Sequence, residues 1–312
     1  MTEFLKTERR MPLKAAGLLA ALLAAPALPA VADNYSASTT PSPLASACTG
    51  TLGGDRVAAP TSAGVSCQGN GFNNTGSAAA TPGQVHAMAQ GAAGNGTNAT
   101  ATFNGSVVFG SSVVGSFTTV QFVIPLDGTF SRTYGGPAAG EDPGSGIALT
   151  GLDAGFGLDG GNIEGFDRRV ATDATGTHDL SSAFGFFDVI GDFHSDNLNI
   201  FLITAPMLLQ TNVVHQFTFT LQVGVGTTGA NQSATADFSQ TFGFKPGFAP
   251  FILQNGITAN AGDYIVNNVV VDPNAPTGGV PEPATWAMLL LGFAGVGQVA
   301  RRTRRGRAPS AA

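Results

Sequence analysis

The sequence contains little charge and few of the aromatic residues that glycan-binding proteins favour. Charged residues make up 11% of the 312 positions, and one Trp and three Tyr stand against 22 Phe. Because disordered chains combine high charge with low hydrophobicity, a chain that is 43% hydrophobic is expected to fold around a core. Phe in place of Trp and Tyr favours that core over a surface that stacks sugar rings, which weakens a glycan-binding function without excluding it.

Basic residues are scarce in the middle of the chain. Residues 33–279 contain five basic and seventeen acidic side chains, a net charge of −12, whereas the whole chain carries −6. Nucleic-acid binding needs clustered Lys and Arg that neutralise phosphates, so no nucleic acid is expected as a partner. The other basic residues lie at the two ends, where they have different explanations.

The N-terminal end has the pattern of an export signal. Residues 1–32 place four basic residues before an apolar stretch that ends in a small-residue A-x-A pattern. This pattern predicts a signal peptide with a short helix, recognised by the secretion machinery and cut between Ala32 and Asp33. The stretch is too short, and too closely followed by proline, to favour a permanent membrane anchor.

Cysteine is also scarce, which limits the roles open to Cys48 and Cys67, the only two in the chain. Two cysteines without nearby histidines are too few for a zinc site. Export leads to a compartment that permits disulfides, so the two are predicted to form a structural disulfide. Closing this loop would contribute about 3 kcal/mol in the chain-entropy model.

Long helical patterns are missing between residues 33 and 280, and strand patterns take their place. The segment "QFTFTLQVGV" alternates strictly, with five apolar residues on one face: Phe217, Phe219, Leu221, Val223 and Val225. The segment "SATADFSQTFGF" alternates again after the turn-rich "GTTGANQ", so the two are predicted to form a hairpin. One short helix is expected in "QVHAMAQGAA".

Strands without alternating helices exclude a doubly wound α/β fold and favour an antiparallel β-sandwich or jelly-roll-like domain. We predict one all-β domain over residues 33–272. Its opening to about residue 100 is rich in Ser, Thr, Gly and Ala and is expected to be loosely ordered. Residues 273–280, "PNAPTGGV", form a Pro/Gly linker to the C-terminal tail.

Acidic residues cluster among glycines in "GLDAGFGLDGGNIEGFDRR". Four carboxylates, Asp153, Asp159, Glu164 and Asp167, are weak candidates for a calcium site, because calcium takes six to eight oxygen ligands from a flexible loop. The EF-hand spacing is absent, so a solvated acidic loop is the preferred interpretation. A pair of these carboxylates could in principle serve a glycosidase, but sequence spacing does not show that they face one substrate.

No catalytic signature is present, and no cofactor is predicted. Two G-x-G-x-x-G matches, at residues 155–160 and 224–229, lack the following helix that dinucleotide binding requires and are interpreted as turns. His194, Ser195 and Asp196 have the composition of a catalytic triad, but adjacent residues cannot form its hydrogen-bonded relay. We therefore expect a protein that is not an enzyme.

The C-terminal end combines three features within about 30 residues. A Pro281-Glu282-Pro283 triplet precedes 17 largely apolar residues, 284–300, which as a helix would span about 25 Å. Flanking arginines can cover the shortfall from the ~30 Å hydrocarbon core, so a transmembrane helix is predicted there. The arginine cluster that follows would be held on the cytoplasmic side (Arg301, Arg302, Arg304, Arg305 and Arg307).

These residues, together with Trp286 in "VPEPATWAMLLLGFAGVGQVARRTRR", resemble a PEP-CTERM sorting signal of the variety in which Trp-Ala-Met follows the triplet. The resemblance covers residues 281–307. It implies recognition by an exosortase, transient anchoring in the inner membrane and processing near the triplet. It also implies release or transfer to the cell surface, often in association with exopolysaccharide and biofilm production.

The expected function is therefore that of an exported, exosortase-sorted cell-surface or extracellular-matrix protein with a non-enzymatic structural role. A glycan- or calcium-binding surface module is the alternative, and a secreted hydrolase is a weaker one.

Overall fold

The computed structural model describes residues 33–42, 48–51, 57–69, 72–137, 146–180, 182–184 and 188–272. The predicted signal peptide, the 273–280 linker and the whole C-terminal tail lie outside the described residues. The chain divides after Val270 into two units, and all the strands belong to the first. Strands make up 71% of the described part, which contains no helix, so the all-β prediction is confirmed.

Twenty strands follow one another along the chain. They are β1 Asn34–Ser42, β2 Cys48–Thr51, β3 Thr61–Gly69, β4 Phe72–Thr81, β5 Gln84–Ala92, β6 Gly96–Gly110, β7 Phe117–Tyr134, β8 Ala148–Leu158, β9 Gly161–Asp173, β10 Gly176–Asp179, β11 Ser182–Phe184, β12 Asp188–Ile190, β13 Asn197–Ile203, β14 Met207–Gln210, β15 Val214–Thr227, β16 Gln232–Gly243, β17 Phe251–Leu253, β18 Thr258–Asn260, β19 Ile265–Val266 and β20 Val269–Val270.

The strands form two large sheets in which the neighbours pair antiparallel. Sheet A has the order β1-β6-β15-β8-β9-β10, with β11 beside β9 and β18 beside β6. Sheet B has the order β12-β13-β7-β16-β5-β4-β3-β2, with β14 and β17 each paired to β7. The short strands β19 and β20 form a separate hairpin.

The two sheets pack through their apolar faces into one core. Phe219 of sheet A lies 4.9 Å, ring to ring, from Phe244, which follows β16 of sheet B. Phe122 of β7 lies 4.6 Å from Phe156 of β8 in the opposite sheet. Each fully buried Phe contributes roughly 1.5–3 kcal/mol, so this aromatic cluster is a main source of stability.

The alternation predicted for the central strand is confirmed. All five of its predicted apolar residues on β15 are buried, while the intervening side chains are more exposed. Because side chains in a strand alternate between the two faces of a sheet, β15 buries one row and offers a polar row to solvent. This polar row becomes part of the outer face of sheet A.

Two sequence predictions about neighbouring elements are wrong. The segments of β15 and β16 do not form a hairpin, because β15 lies in sheet A and β16 in sheet B. Both strands bury an apolar face in the shared core, and alternation fixes the buried face without fixing the sheet. The predicted short helix is strand β5, which alternates between buried and partly exposed residues.

Two further expectations concern glycine-rich segments. Residues 33–100, expected to be loosely ordered, contain β1 to β5 and the start of β6. The acidic segment interpreted as a solvated loop is the β8–β9 hairpin instead, which corrects that interpretation. Its turn is the pair Asp159-Gly160, whose φ angles are +49° and +81°. Positive φ at both positions is the geometry that Asp-Gly favours in two-residue hairpins.

Candidate functional site

A groove runs along the outer face of sheet A and has a volume of about 590 Å³. Its floor is bare backbone, because Gly155 and Gly157 of β8 and Gly161 of β9 place no side chain there. Glycine within a strand often marks the close approach of a ligand or another backbone. Both G-x-G-x-x-G matches, interpreted as turns, begin inside strands β8 and β15, so that interpretation is corrected here.

Polar side chains from the neighbouring strands form one wall of the groove. The register pairs Thr220 with Thr102 on one side and with Gly155 on the other, which makes a row across three strands. The next row contains Asn104 and Thr218, whose hydroxyl donates to Asn104 Oδ1 at 2.7 Å. Adjacent strands lie about 4.8 Å apart, so hydroxyl and amide groups repeat regularly along this wall.

Asp153 lies where this groove meets a second one, since it lines both. It faces Asp167 across the β8–β9 pair, and the Asp167 carboxylate lies 3.3 Å from Arg169 Nη2. Burial raises the pKa of the Asp153 carboxyl; the Asp167 charge raises it further and Arg169 opposes the shift. Asp153 and Asp167 are thus the two calcium candidates that the fold brings together.

Asp159 is held elsewhere. Its Oδ2 lies 2.8 Å from Nδ1 of the buried His215, and its Oδ1 accepts a hydrogen bond from the Gln216 N–H at 2.9 Å. Glu164 lies on β9, and its side chain is outside the described residues. In the part of the chain that the structure describes, no group of three or more His, Cys, Asp or Glu side chains is arranged to hold a metal ion.

Two buried arginines form a second polar cluster between the sheets, which sequence reasoning missed. Arg132 of β7 and Arg168 of β9 are both almost completely buried, and both approach the exposed Asp196 carboxylate. Arg132 also donates to the Thr150 hydroxyl at 2.9 Å. The available signal was Arg168 itself, which occupies the inward phase of β9 between Phe166 and Val170.

The His194-Ser195-Asp196 segment is part of this cluster and has no relay geometry. Arg168 donates to the carbonyl oxygens of Ser195 and His194, the second at 2.6 Å. The His194 ring contacts Asp179 instead, at 2.8 Å from Nδ1 to Oδ2. Together these contacts tie the segment between β12 and β13 to sheet A.

The predicted cysteine pair has a matching backbone arrangement. Cys48 and Cys67 are register partners in the antiparallel β2–β3 pair, and Cys67 is buried. Directly opposite residues in such a pair have Cα atoms about 4.5–5.5 Å apart, which lies in the range that disulfides require. The disulfide itself stays a prediction.

Comparison with known families gives a match at the C-terminus, over residues 279–305. The chain carries a PEP-CTERM protein-sorting motif. This motif identifies an exported protein that is transiently anchored in the membrane, with an exosortase as its processing partner. The matched range contains the predicted sorting residues from Pro281 to Arg305.

The rest of the chain is without a known relative in these comparisons. No match to a curated protein and no match to a solved structure was found. The described residues contain no helix long and apolar enough to cross a membrane.

Proposed function

We propose that the protein is a cell-surface or extracellular-matrix component whose β-sandwich has a structural, non-enzymatic role once the sorting tail has been removed. The observation that carries this proposal is the PEP-CTERM motif, which assigns the route out of the cell. The body fits such a role because it has a large single core and an uncharged polar outer face on sheet A. An association with exopolysaccharide is part of the proposal.

Mass spectrometry of the mature surface protein tests the route. We expect an N-terminus at Asp33 and a C-terminus near the Pro281–Pro283 triplet, with Trp286 and the arginines missing. An intact surface protein that still carries the arginine cluster would contradict exosortase processing. A mass above that of the bare polypeptide would identify a covalently attached group.

The glycine groove supports a second candidate, which is glycan binding. A bare-backbone floor admits a flat polymer, and the wall of hydroxyl and amide groups can exchange hydrogen bonds with sugar hydroxyls. This ligand would bind without aromatic stacking, because glycine, threonine, asparagine and glutamine dominate the lining. Calcium has weaker support, since Asp159 is engaged by His215.

Substitution of the groove floor separates these functions. A Cβ at Gly155 would meet its nearest neighbour, Thr220 Cβ, at 3.8 Å, so Gly155→Gln is expected to fold and to fill the groove. Gly64→Gln is the matched control, because a Cβ at this strand position in sheet B meets only a backbone oxygen at 3.7 Å. Titration calorimetry with soluble β-glucan oligomers should show binding to the wild type and to the control, and none to Gly155→Gln. Absence of binding to the wild type leaves the structural role alone.

A hydrolase is tested through the carboxylates. Release of reducing ends from the same oligomers, abolished by Asp153→Asn, would overturn the non-enzymatic assignment.

A further inference from the structure

Four exposed apolar side chains surround the position at which the chain leaves the β domain. Phe248, Ile252, Val266 and Val269 are each between 45% and 49% exposed, and we call them the exit patch. Isolated apolar residues on a surface need no explanation, whereas a group of them often marks an interaction site. The question is which partner would cover this group.

The chain leaves from within the patch. Val270, the last strand residue, donates its N–H to the Phe248 carbonyl at 3.0 Å and accepts from the Gly247 N–H at 2.9 Å. Val269 and Val266 are register partners in the β19–β20 hairpin. The patch is therefore fixed by backbone hydrogen bonds to the residue that precedes the linker.

Ile252 is connected to the same hairpin. The Asn268 side chain donates to the Phe251 carbonyl at 2.9 Å and accepts from the Phe251 N–H at 3.2 Å. Because Phe251 precedes Ile252 on β17, this amide holds the exposed Ile252 close to the hairpin. All four members of the exit patch thus belong to one hydrogen-bonded unit.

The apolar surface continues across β7. Ile252 lies opposite Gln121, and the 70% exposed Leu208 lies opposite Thr119, two residues earlier on β7. Directly opposed residues in an antiparallel pair point to the same face, so Ile252 and Leu208 share the outer face of sheet B. Phe117, also exposed, occupies the next outward position of β7.

The length of chain beyond Val270 limits how far this surface can be from the membrane. Thirteen residues, 271–283, separate it from the apolar segment that begins at Ala284. As a flexible chain they have a root-mean-square span of about 20 Å. A domain of this size has a radius of gyration of about 18 Å, so the exit side faces the bilayer while the tail is anchored.

We propose that the exit patch rests on the lipid surface of the inner membrane while the sorting tail is anchored, and that processing releases it. The proposal rests on the membrane anchoring that the motif implies. Few charges oppose the contact, since Lys245, whose Nζ lies 5.8 Å from the Phe248 ring, pairs with Asp127. The acidic body disfavours anionic headgroups, so the surface is zwitterionic lipid.

The patch is small, and tethering makes the contact effective. Linking two binding elements gives the second a local concentration in the millimolar range. Once the tail is cut, this advantage disappears and the body leaves the surface. The contact is thus expected in the anchored precursor and is expected to be lost from the processed protein.

The test uses the full chain reconstituted in phosphatidylcholine vesicles that contain brominated lipid, which quenches tryptophan on contact. Trp286→Phe removes the native tryptophan, and Phe248→Trp introduces a reporter into the exit patch. Ser38→Trp, at an exposed position on β1 of sheet A, is the matched control. We expect at least twofold stronger quenching at position 248 than at position 38, lost after proteolysis of the linker.

Each other outcome has its own meaning. Equal quenching at both positions, or none at either while the chain still floats with the vesicles, overturns the proposal and leaves membrane anchoring intact. A chain that does not float contradicts the anchoring itself. Quenching that survives Ile252→Ser with Val269→Ser also overturns it, as does a shielded reporter in a dimer that forms without lipid.

Discussion

The guanidinium of Arg132 lies 2.5 Å from the Asp196 carboxylate, measured from Nη2 to Oδ1. The two residues come from different parts of sheet B, since Arg132 is on β7 and Asp196 immediately precedes β13. Arg168 approaches the same carboxylate at 3.9 Å from the opposite sheet. One exposed carboxylate thus serves two buried arginines and links the sheets at a position where apolar packing is interrupted.

Replacing Arg168 should be strongly destabilising. Arg168→Ala removes the donor from two loop carbonyls and a guanidinium that lies 5.1 Å from the centre of the Phe130 ring. Losing buried hydrogen bonds and leaving a cavity should cost about 3–5 kcal/mol in the free energy of unfolding, measured by urea denaturation.

Arg169→Ala is the control, because this neighbour is 60% exposed and pairs only with Asp167 at the surface. Exposed ion pairs contribute about 0–1 kcal/mol, so little change is expected. Equal losses for the two variants would mean that Arg168 does not hold the loop.

The stability should depend on pH through Asp33. Burial raises the pKa of the Asp33 carboxyl to about 6, and the nearby Asp263 charge raises it further, although Tyr35 and Ser106 donate to it. The unfolded chain titrates near 3.8 and so ionises first as the pH rises. Stability should therefore fall between about pH 4 and pH 6 and level off above.

Because Asp33 is only about half-buried, the loss should be about 1 kcal/mol after allowance for solvent screening. Asp33→Asn should remove the slope and be the more stable protein at pH 7, as followed by denaturation at several pH values. A free ammonium at Asp33, which cleavage after Ala32 would create, favours the carboxylate and should weaken the slope. A steeper slope in the cleaved form than in an N-terminally extended form contradicts this account.

A disulfide between Cys48 and Cys67 should be present in the exported protein. The non-reduced protein should be about two mass units lighter than the reduced one, because the bond removes two hydrogens. Cys67→Ser should destabilise by about 3 kcal/mol. The double variant Cys48→Ser with Cys67→Ser should be no worse than the single, and reduction should erase the difference from wild type. A free thiol in the native exported protein contradicts the prediction.

Sequence reasoning located strands better than it arranged them. The alternation in β15 identifies its five buried residues because a strand has a period of two. The same pattern in β16 could not show that the two strands lie in opposite sheets, since both bury residues in one core. Pairing depends on the path of the connection, and a single alternating pattern contains no information on that path.

Glycine was the main obstacle. The Asp159-Gly160 pair is a hairpin signal, but the surrounding glycines made the β8–β9 segment resemble a loop. The groove at Gly155 was missed for the same reason: strand propensity is low for glycine, and the fold overrides it through pairing with neighbours on both sides. Distinguishing an inward from an outward glycine requires knowing what lies opposite.

That distinction gives a last prediction, which compares Gly105 with Gly155. A Cβ at Gly105 would lie 2.6 Å from Tyr264 Oη and 2.7 Å from Cζ of Phe103. These are shorter than van der Waals contact, so Gly105→Ala forces packed rings apart and should cost about 1–3 kcal/mol. Gly155→Ala meets nothing closer than 3.8 Å and should keep the stability or raise it by up to about 1 kcal/mol, because alanine restricts the unfolded chain. Thermal unfolding of both variants measures the difference, and a Gly155→Ala protein as unstable as Gly105→Ala would mean that the groove floor is closed in solution.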